Sequence, residues 1–352
     1  MIHSKAIIYE KYDTPLFVDE IKVNDPAPND VVVKMYASGI CGSQLISLNN
    51  QGSANPEILG HEGTGVIVKA GRDVPHVQEG DQVLVSWMPY GADENTEYFE
   101  WRELVEWNGM ILKTLIFTWA EHTIMHSKFV SKMEDGFEKY TTSIIGCAGI
   151  AGYGTVLNTV KVQPGDSVAV FGVGGLGLLA VNAAKNHKAG LIITVDLDDK
   201  KLEFSKKFGA THTVNSKETD PVEGIKEISK GGVDYVFDMV GSALIREQTI
   251  LAAKEGVPGY SEGGTTVIVG FPHGVSEFNP RSILMGQRTY KGSRGGACIP
   301  ERDFPNYYSD YKKGNFLLDQ VITRRIKMEE INEAILDLQN GKVLGRMIIE
   351  IA

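Results

Sequence analysis

Two cysteines and a histidine are the side chains of this 352-residue chain best suited to hold a metal ion: Cys41, His61 and Cys147. Catalytic zinc takes three protein ligands and keeps a fourth position for water or substrate, and two thiolates with one imidazole form one known ligand set. Taken singly, each residue has an ordinary interpretation, because cysteine is often buried in a core. Their spacing alone does not show that they form a metal site, since Cys147 lies far from the other two in the sequence.

A glycine-rich turn between an apolar strand and an apolar helix is a second candidate site, in the pattern G-x-G-x-x-G. The first glycine makes a tight bend, the second lets backbone approach a pyrophosphate, and the third lets the helix lie close to the strand. The predicted cofactor-binding residues of this turn are Gly172, Gly174, Gly175, Leu176 and Gly177.

An acidic residue at the end of the next strand supports this interpretation. Asp196 follows the turn by about 20 residues, where a carboxylate accepts the ribose hydroxyls of a dinucleotide. The same charge would repel a 2′-phosphate, so the sequence predicts NAD rather than NADP. Lys201 either supports the same ribose or lies solvated on a helix.

The elements around these residues change in character near residue 150. Before that point, short apolar runs with glycine and proline between them predict a β-rich, barrel-like domain: AIIYE, VVVKMYA, GTGVIVKAG and QVLVSW. The run from Glu97 to Trp107 is read as a helical or loop face near the cleft, a subunit contact or a plain solvated loop.

Beyond residue 150, strands alternate with helices, which predicts a parallel sheet with helices on both faces. The predicted strands are SVAVFGVGG, LIITVD, THTVN, DYVFDMV and TTVIVGF. The fold class is therefore α/β, with a dinucleotide-binding domain at residues 151–290. It is inserted into a β-rich domain made of residues 1–150 and 291–352.

Composition limits the classes of binding partner and the cellular locations to be expected. Apolar residues make up 42% of the chain and its net charge is −10, which argues against nucleic acid as a partner. No apolar run approaches the roughly 20 residues that span a bilayer, and no secretory leader is read at the start. Three cysteines cannot form a disulfide framework, so a reducing, cytoplasmic location is expected, with Cys298 an inert thiol.

Several motifs occur in a fixed order: G-I-C-G-S, G-H-E-G-T-G-V, G-D-Q-V, G-C-x-x-x-x-G-Y-G and V-F-G-V-G-G-L-G. Together they resemble the zinc-containing medium-chain alcohol dehydrogenases over essentially the whole chain. The resemblance implies a GroES-like barrel with a Rossmann domain and an NAD-linked hydride transfer between an alcohol and an aldehyde or ketone. The segments from R-T-Y-K-G-S to V-L-G-R-M-I are similar to the glutathione-dependent formaldehyde dehydrogenase branch.

The resemblance also assigns roles to residues. Cys41, His61 and Cys147 would bind one catalytic zinc, with Glu62 beside the metal as a transient ligand. Ser43 would accept the proton of the substrate hydroxyl. The cofactor-binding set extends to Val269, Ser293 and Arg346, and Arg346 either contacts the pyrophosphate or forms a strand-end salt bridge. A homodimer or homotetramer is expected, with TTVIVGF extending a sheet across a two-fold axis.

Three departures from the family pattern are visible. Residues 82–146 contain no cysteine, so the second, structural zinc of the family is not expected. Gln44 stands where an aspartate usually steadies the zinc-bound histidine. Ile46 replaces the histidine that often ends the proton relay, so the relay must leave by another route.

Three other functions stay open. A zinc-free quinone or enoyl reductase shares the fold but lacks the metal ligands. A polyol dehydrogenase tends to carry glutamate at the position of Cys147. A protein that binds NAD without turnover would fit the changes at Gln44 and Ile46.

Overall fold

The computed structural model describes residues 1–51, 56–94, 96, 99–272, 274–275 and 277–352. Within them the chain divides into two units. Unit 1 comprises Met1–Cys147, Ile299–Ser309 and Leu318–Ala352, and unit 2 comprises Ala148–Cys298 and Asp310–Leu317. The predicted division of functions between residues 1–150 with 291–352 and residues 151–290 stays a prediction.

The strands, in chain order, are β1 (Ile2–Tyr9), β2 (Phe17–Val23), β3 (Asp30–Gly39), β4 (Glu57–Ile58), β5 (Glu62–Ala70), β6 (Gln82–Ser86), β7 (Arg102–Trp107), β8 (Met110–Thr114), β9 (His122–His126), β10 (Val130–Lys132), β11 (Ser167–Phe171), β12 (Leu191–Asp196), β13 (His212–Asn215), β14 (Tyr235–Asp238), β15 (Thr265–Ile268), β16 (Thr289–Gly292), β17 (Ile322–Ile326) and β18 (Arg346–Glu350).

The α-helices are α1 (Gln44–Asn49), α2 (Ile150–Gly154), α3 (Gly175–Asn186), α4 (Asp199–Ser205), α5 (Pro221–Ser229), α6 (Arg246–Ala252), α7 (Arg281–Gly286), α8 (Pro300–Lys312), α9 (Leu318–Val321) and α10 (Ile331–Gln339). Local chemistry sets their ends. At α5, for example, the Asp220 carboxylate accepts from the backbone N–H groups of Val222 and Glu223, and Pro221 fills the first turn. Among the described residues, no helix combines the length and apolar character needed to cross a bilayer.

Unit 1 is β-rich and barrel-like, as the sequence predicts. One sheet has the order β4-β1-β2-β7-β8, and the other has the order β10-β6-β5-β3-β18-β17, with β9 also paired to β3. The ten-residue β3 is long enough to pair with β9 along its first half and with β18 at its end. A bridge between Ala6 and Ala120 joins the two sheets, and their inner faces bury Val, Ile, Leu and aromatic side chains.

Unit 2 contains the predicted parallel sheet, in the order β13-β12-β11-β14-β15-β16. All five of its strand pairings are parallel. The chain runs outward from β11 to β13 and then crosses back to β14, so the strand order reverses between β11 and β14. Ligands of doubly wound sheets bind at such a reversal, beyond the carboxyl ends of the strands.

The expectation that TTVIVGF extends the sheet across a two-fold axis is wrong. β15, formed by the first part of that segment, pairs with β14 on one side and β16 on the other. Both rows of its backbone groups are therefore used within the chain. The edge strand is β16, whose short and mostly exposed sequence T-Y-K-G gives little strand signal.

The run from Glu97 to Trp107 also differs from its prediction as a helical or loop face. Its second half is β7, which pairs with β2 and with β8. Leu104, Val105 and Trp107 are buried in the core of unit 1, and a register shift in the pairing with β8, between Glu103 and Val105, accompanies the burial of two consecutive residues. Glu97 itself lies outside the described residues.

Candidate metal centre and dinucleotide edge

Cys41 lies in the turn between β3 and α1. The backbone N–H of Ile40 donates to the carbonyl of Met347 at 3.1 Å, which fastens the end of β3 to β18. The carbonyl of Cys41 then accepts from the N–H of Gln44 at 3.1 Å, which begins the helical turn. The thiol is buried, with 8% of the residue surface exposed.

His61 lies between β4 and β5, where the chain bends at Gly60. The φ of Gly60 is +96°, and a Cβ there would lie 2.6 Å from the Trp119 ring. Only glycine therefore fits this bend. The ring of His61 is half-buried and faces inward beside the start of β5.

Cys147 lies in a π-helical turn, Ile145–Gly149, that leads into α2. Such turns widen the helix by one residue and are frequent at functional sites. The Ser86 hydroxyl donates to the carbonyl of Gly146 at 2.7 Å, which ties this turn to the end of β6. The Cys147 thiol is buried like that of Cys41.

The fold brings these three side chains together within unit 1. Their ligand atoms all lie within 4.8 Å of one another. The two sulfurs are 3.9 Å apart, and Nε2 of His61 lies 3.2 Å from the sulfur of Cys147. Tetrahedral zinc with bonds of about 2.0–2.3 Å places its ligand atoms at about these separations. The donor set therefore fits a zinc ion bound by three protein ligands.

Electrostatics in the metal-free arrangement favour one thiolate. The hydrogen bond from Cys147, the charge of Arg346 and the His61 ring hold the pKa of Cys41 well below its usual range. The same sulfur–sulfur hydrogen bond and burial raise the pKa of the Cys147 thiol. Zinc binds thiolates, so a site that already stabilises one of them is prepared for a cation.

Glu62 forms an ion pair with Arg346 close to the ligand set. Glu62 is fully buried at the start of β5, and Arg346 is 6% exposed at the start of β18. Burial alone would lower the pKa of Arg346, but the charges of Glu62, Cys41 and Cys147 raise it. The structure thus shows Arg346 in a strand-end salt bridge, and its predicted contact with a pyrophosphate stays a prediction.

Ser43 lies two residues after Cys41 and immediately before α1. Its hydroxyl does not cap that helix, and the side chain is half-buried. The role of this hydroxyl as proton acceptor stays a prediction. Ile46, three residues after Ser43 on α1, is 38% exposed.

Gln44 contacts the metal centre directly, which the sequence interpretation missed. Its side-chain oxygen accepts from the backbone N–H of Cys41 at 2.5 Å, and its amide nitrogen lies 3.0 Å from Nδ1 of His61. The change from aspartate therefore keeps a side chain against the histidine. A polar residue three positions after a ligand, at the first position of a helix, is the signal that points to this contact.

The glycine-rich turn has the geometry expected of a phosphate-binding turn. Gly172 has φ +85°, and a Cβ there would lie 2.5 Å from the Val240 side chain. A Cβ on Gly177 would overlap the carbonyl oxygen of Gly172. At Gly174, which precedes α3 without a side-chain cap, no described residue other than its two chain neighbours lies within 4 Å of the Cβ position. This helix N-terminus can therefore accept an anion.

Asp196 ends β12 beside the same turn. One carboxylate oxygen accepts from the backbone N–H of Val173 at 2.9 Å, and the other accepts from Leu197 and Asp198. The carboxylate is half-buried, so it remains open to a further donor. Lys201 is half-buried on α4, the next helix.

Val269 and Ser293 follow β15 and β16, at the carboxyl edge of the sheet that also holds the glycine-rich turn and Asp196. The N–H of Val269 donates to the carbonyl of Asp238, and that of Ser293 donates to Ile268. The Ser293 hydroxyl hydrogen-bonds with Thr155 and Thr159 at 3.0 and 2.6 Å. Apart from Arg346, all predicted dinucleotide residues thus lie along one edge of unit 2.

Cys298 is buried and belongs to unit 2, whereas all three ligand residues belong to unit 1. His122 and His126 are the two ends of β9. The inert role expected of the Cys298 thiol stays a prediction.

Comparison with known proteins identifies two domain families in this chain. Residues 27–135 match the alcohol dehydrogenase GroES-like domain, and residues 175–312 match the zinc-binding dehydrogenase family. The S-(hydroxymethyl)glutathione dehydrogenase of Escherichia coli O6:H1 is 30% identical, with 98% of this chain and 99% of the relative covered.

Two solved structures are similar over the whole chain. Benzyl alcohol dehydrogenase from Acinetobacter calcoaceticus superposes with a TM-score of 0.87 at 28% identity and covers 100% of both chains. An alcohol dehydrogenase zinc-binding domain protein from Burkholderia ambifaria gives a TM-score of 0.89 at 26% identity, covering 100% of this chain and 99% of its own. The chain therefore belongs to the zinc-containing medium-chain alcohol dehydrogenases and is an oxidoreductase of that family.

Proposed function

We propose that this protein catalyses reversible hydride transfer between a small alcohol and NAD, with one zinc ion at Cys41, His61 and Cys147. The observation that carries the proposal is the convergence of these three ligand atoms to within 4.8 Å in unit 1. A zinc-free reductase of the same fold would have no use for that arrangement. A polyol dehydrogenase is less well supported, because the third ligand position holds a thiol.

In this proposal the two cysteines bind as thiolates and His61 binds through Nε2. Zinc held there supplies Lewis acidity, which makes an alcohol hydroxyl easier to deprotonate and a carbonyl easier to reduce. The Glu62–Arg346 pair lies beside the ligands and adds no net charge to their surroundings. The Ser43 hydroxyl takes the proton of the substrate hydroxyl at its Oγ and passes it on to solvent.

Unit 2 binds the dinucleotide in this proposal. The backbone N–H groups at the start of α3 bind the pyrophosphate, and the open space at Gly174 lets it approach. Asp196 accepts the hydroxyls of the adenosine ribose, which favours NAD over its 2′-phosphorylated form. NAD supplies the hydride acceptor when bound. Val269 and Ser293 contribute contacts at the carboxyl ends of the last two strands.

The experiment that tests the metal assignment combines zinc quantification per chain with a steady-state assay of NADH formation. Cys41→Ala removes one thiolate and should abolish both bound zinc and turnover. Cys298→Ala is the matched control, because it removes a buried cysteine from the other unit and should preserve both. Retention of zinc and turnover by Cys41→Ala would contradict the proposal.

Ser43→Ala separates proton transfer from metal binding. The variant should keep its zinc, while kcat should fall by roughly 10²- to 10⁴-fold, the usual contribution of general acid–base catalysis. An unchanged kcat would remove Ser43 from the mechanism and leave the metal assignment intact.

The substrate is a small alcohol or aldehyde in this proposal, and a panel defines it further. Because relatives act on benzyl alcohol and S-(hydroxymethyl)glutathione by name, both belong in the panel, together with short primary alcohols and a vicinal diol. A preference for the diol in kcat/KM would favour the polyol alternative. A cytoplasmic location and a homodimer or homotetramer stay predictions, and sedimentation analysis would measure the latter.

A further inference from the structure

Gln44 is placed between two groups that make opposite demands on its amide. It is buried, with 3% of the residue surface exposed. On one side the backbone N–H of Cys41 lies 2.5 Å from the side-chain oxygen. On the other side Nδ1 of His61 lies 3.0 Å from the side-chain nitrogen.

The orientation of this amide follows from the backbone. A backbone N–H can only donate, so the group that faces Cys41 must be the amide oxygen, Oε1. The amide NH₂ then faces His61, and because NH₂ can only donate, Nδ1 of His61 must accept. The neutral ring consequently carries its proton on Nε2, from which it donates to the sulfur of Cys147 at 3.2 Å.

Zinc ligation requires the other tautomer. Nε2 faces the two sulfurs, so it is the ring atom that must offer a lone pair to the metal, and the ring proton must move to Nδ1. Because the amide oxygen of Gln44 is directed at the Cys41 N–H, the His61 Nδ1–H would then face the NH₂ group, donor against donor.

We infer that Gln44 is a positioning residue that holds His61 in the tautomer opposed to metal ligation and so weakens the retention of zinc. The inference rests on the proposed zinc site. It also identifies a substitution that would remove the conflict at His61, because glutamate has the same length and shape as glutamine but two acceptor oxygens. Gln44→Glu could accept from the Cys41 N–H and from the His61 Nδ1–H together.

The experiment measures zinc affinity by competition with a chromophoric chelator, using the full-length chain. Gln44→Glu should bind zinc about 10- to 100-fold more tightly than the natural protein, the usual range for a partner that orients a metal-binding histidine. Gln78→Glu is the matched control for added charge, since Gln78 is exposed on a loop of the same unit and its variant should not change the affinity.

A second readout reports the tautomer directly and does not depend on added charge. Nitrogen-15 NMR of labelled histidine, at a pH where the ring is neutral, distinguishes a protonated from an unprotonated Nδ1. The His61 resonances, identified by their loss in His61→Gln, should show an unprotonated Nδ1 in the metal-free natural protein and a protonated Nδ1 in Gln44→Glu.

The possible outcomes separate this inference from the proposed function. A protonated Nδ1 in the metal-free natural protein, or a Gln44→Glu variant that binds zinc no more tightly, overturns the role of Gln44 while the metal site stands. Zinc binding that survives Cys41→Ala overturns the proposed metal site and this inference together.

Discussion

The buried pair of Glu62 and Arg346 offers a sharp test of how the metal centre is supported. Glu62→Gln removes the carboxylate charge with little change of shape and leaves the Arg346 guanidinium 6% exposed and without that partner. Arg346→Met performs the converse change and leaves Glu62 fully buried without its cation. The double variant removes both charges and restores a neutral site.

The expected loss in the free energy of unfolding follows from the burial of both groups. Removing one partner of a buried pair destabilises a protein by about 3–5 kcal/mol, because the other charge is left uncompensated. Arg346 also faces the sulfurs of Cys41 and Cys147, so Glu62→Gln should lie near the lower value, about 3 kcal/mol. The double variant should be less destabilised than the two single variants summed, with a coupling of about 2 kcal/mol.

The assay is urea unfolding of the metal-free protein, followed by tryptophan fluorescence. All four tryptophans lie in unit 1, so the signal reports the unit that contains the pair. The control is Glu106→Gln, which breaks a partly exposed pair with Lys22 in the same unit. Its effect should be about 1 kcal/mol or less.

Two results would refute the reasoning. One is a loss below about 1 kcal/mol in both single variants, which would mean that solvent or nearby thiolates replace the missing partner. The other is strict additivity in the double variant, which would mean that the two charges do not interact.

Three further predictions concern other parts of the chain. Burial raises the pKa of Glu57 from 4.5 to about 7, so the folded state keeps a proton that the unfolded state releases. Stability of unit 1 should therefore fall as pH rises from about 5 through 7, by at most about 3 kcal/mol relative to Glu57→Gln, in fluorescence-monitored urea unfolding. An equal pH dependence in both proteins would count against this. Asp196→Asn should weaken NAD binding by about 10- to 100-fold in calorimetric titration, because a hydrogen bond to a charged group is lost. It should also reduce the ratio of NAD affinity to NADP affinity, and an unchanged ratio would mean that another residue determines the choice of cofactor. Gly177→Ala should lower the free energy of unfolding of unit 2 by about 1–3 kcal/mol, because the new Cβ overlaps the Gly172 carbonyl. The same variant should also bind NAD more weakly. Gly174→Ala, which has open space, should affect only NAD affinity, and equal unfolding curves for both variants would contradict this account.

Much of the fold could be predicted because its signals are local. The central strands of unit 2, β11 and β12, are short runs of apolar, largely β-branched residues that are mostly buried, and each is followed by a helix. The glycine-rich turn carries its own stereochemistry, so Gly172, Gly174 and Gly177 could be assigned roles in advance. β16 could not be predicted in this way, because its four mostly exposed residues at the sheet edge show neither the apolar pattern nor the strong β-propensity of a buried strand.

The metal centre was predictable only in part, because its members meet through the tertiary fold. Cys41 and Cys147 are 106 residues apart in the chain, and no local pattern records their approach. The pair of Glu62 and Arg346 spans 284 residues and was foreseen only as one of two possibilities for Arg346. The contact of Gln44 with His61 depends on the hydrogen-bonding capacity of its side chain, which a change of residue type from aspartate does not reveal.

The wide separation of the metal ligands has a consequence for folding. An ion held by Cys41, His61 and Cys147 would cross-link the chain much as a disulfide does, because His61 and Cys41 lie 86 and 106 residues before Cys147. In the chain-entropy picture, closing a loop of about 100 residues restricts the unfolded chain by nearly 5 kcal/mol, although an exchangeable ion achieves less than a permanent bond. Metal occupancy would then contribute to the stability of unit 1 as well as to catalysis, and loss of zinc would make proteolysis of the chain easier at the same time as it stopped turnover.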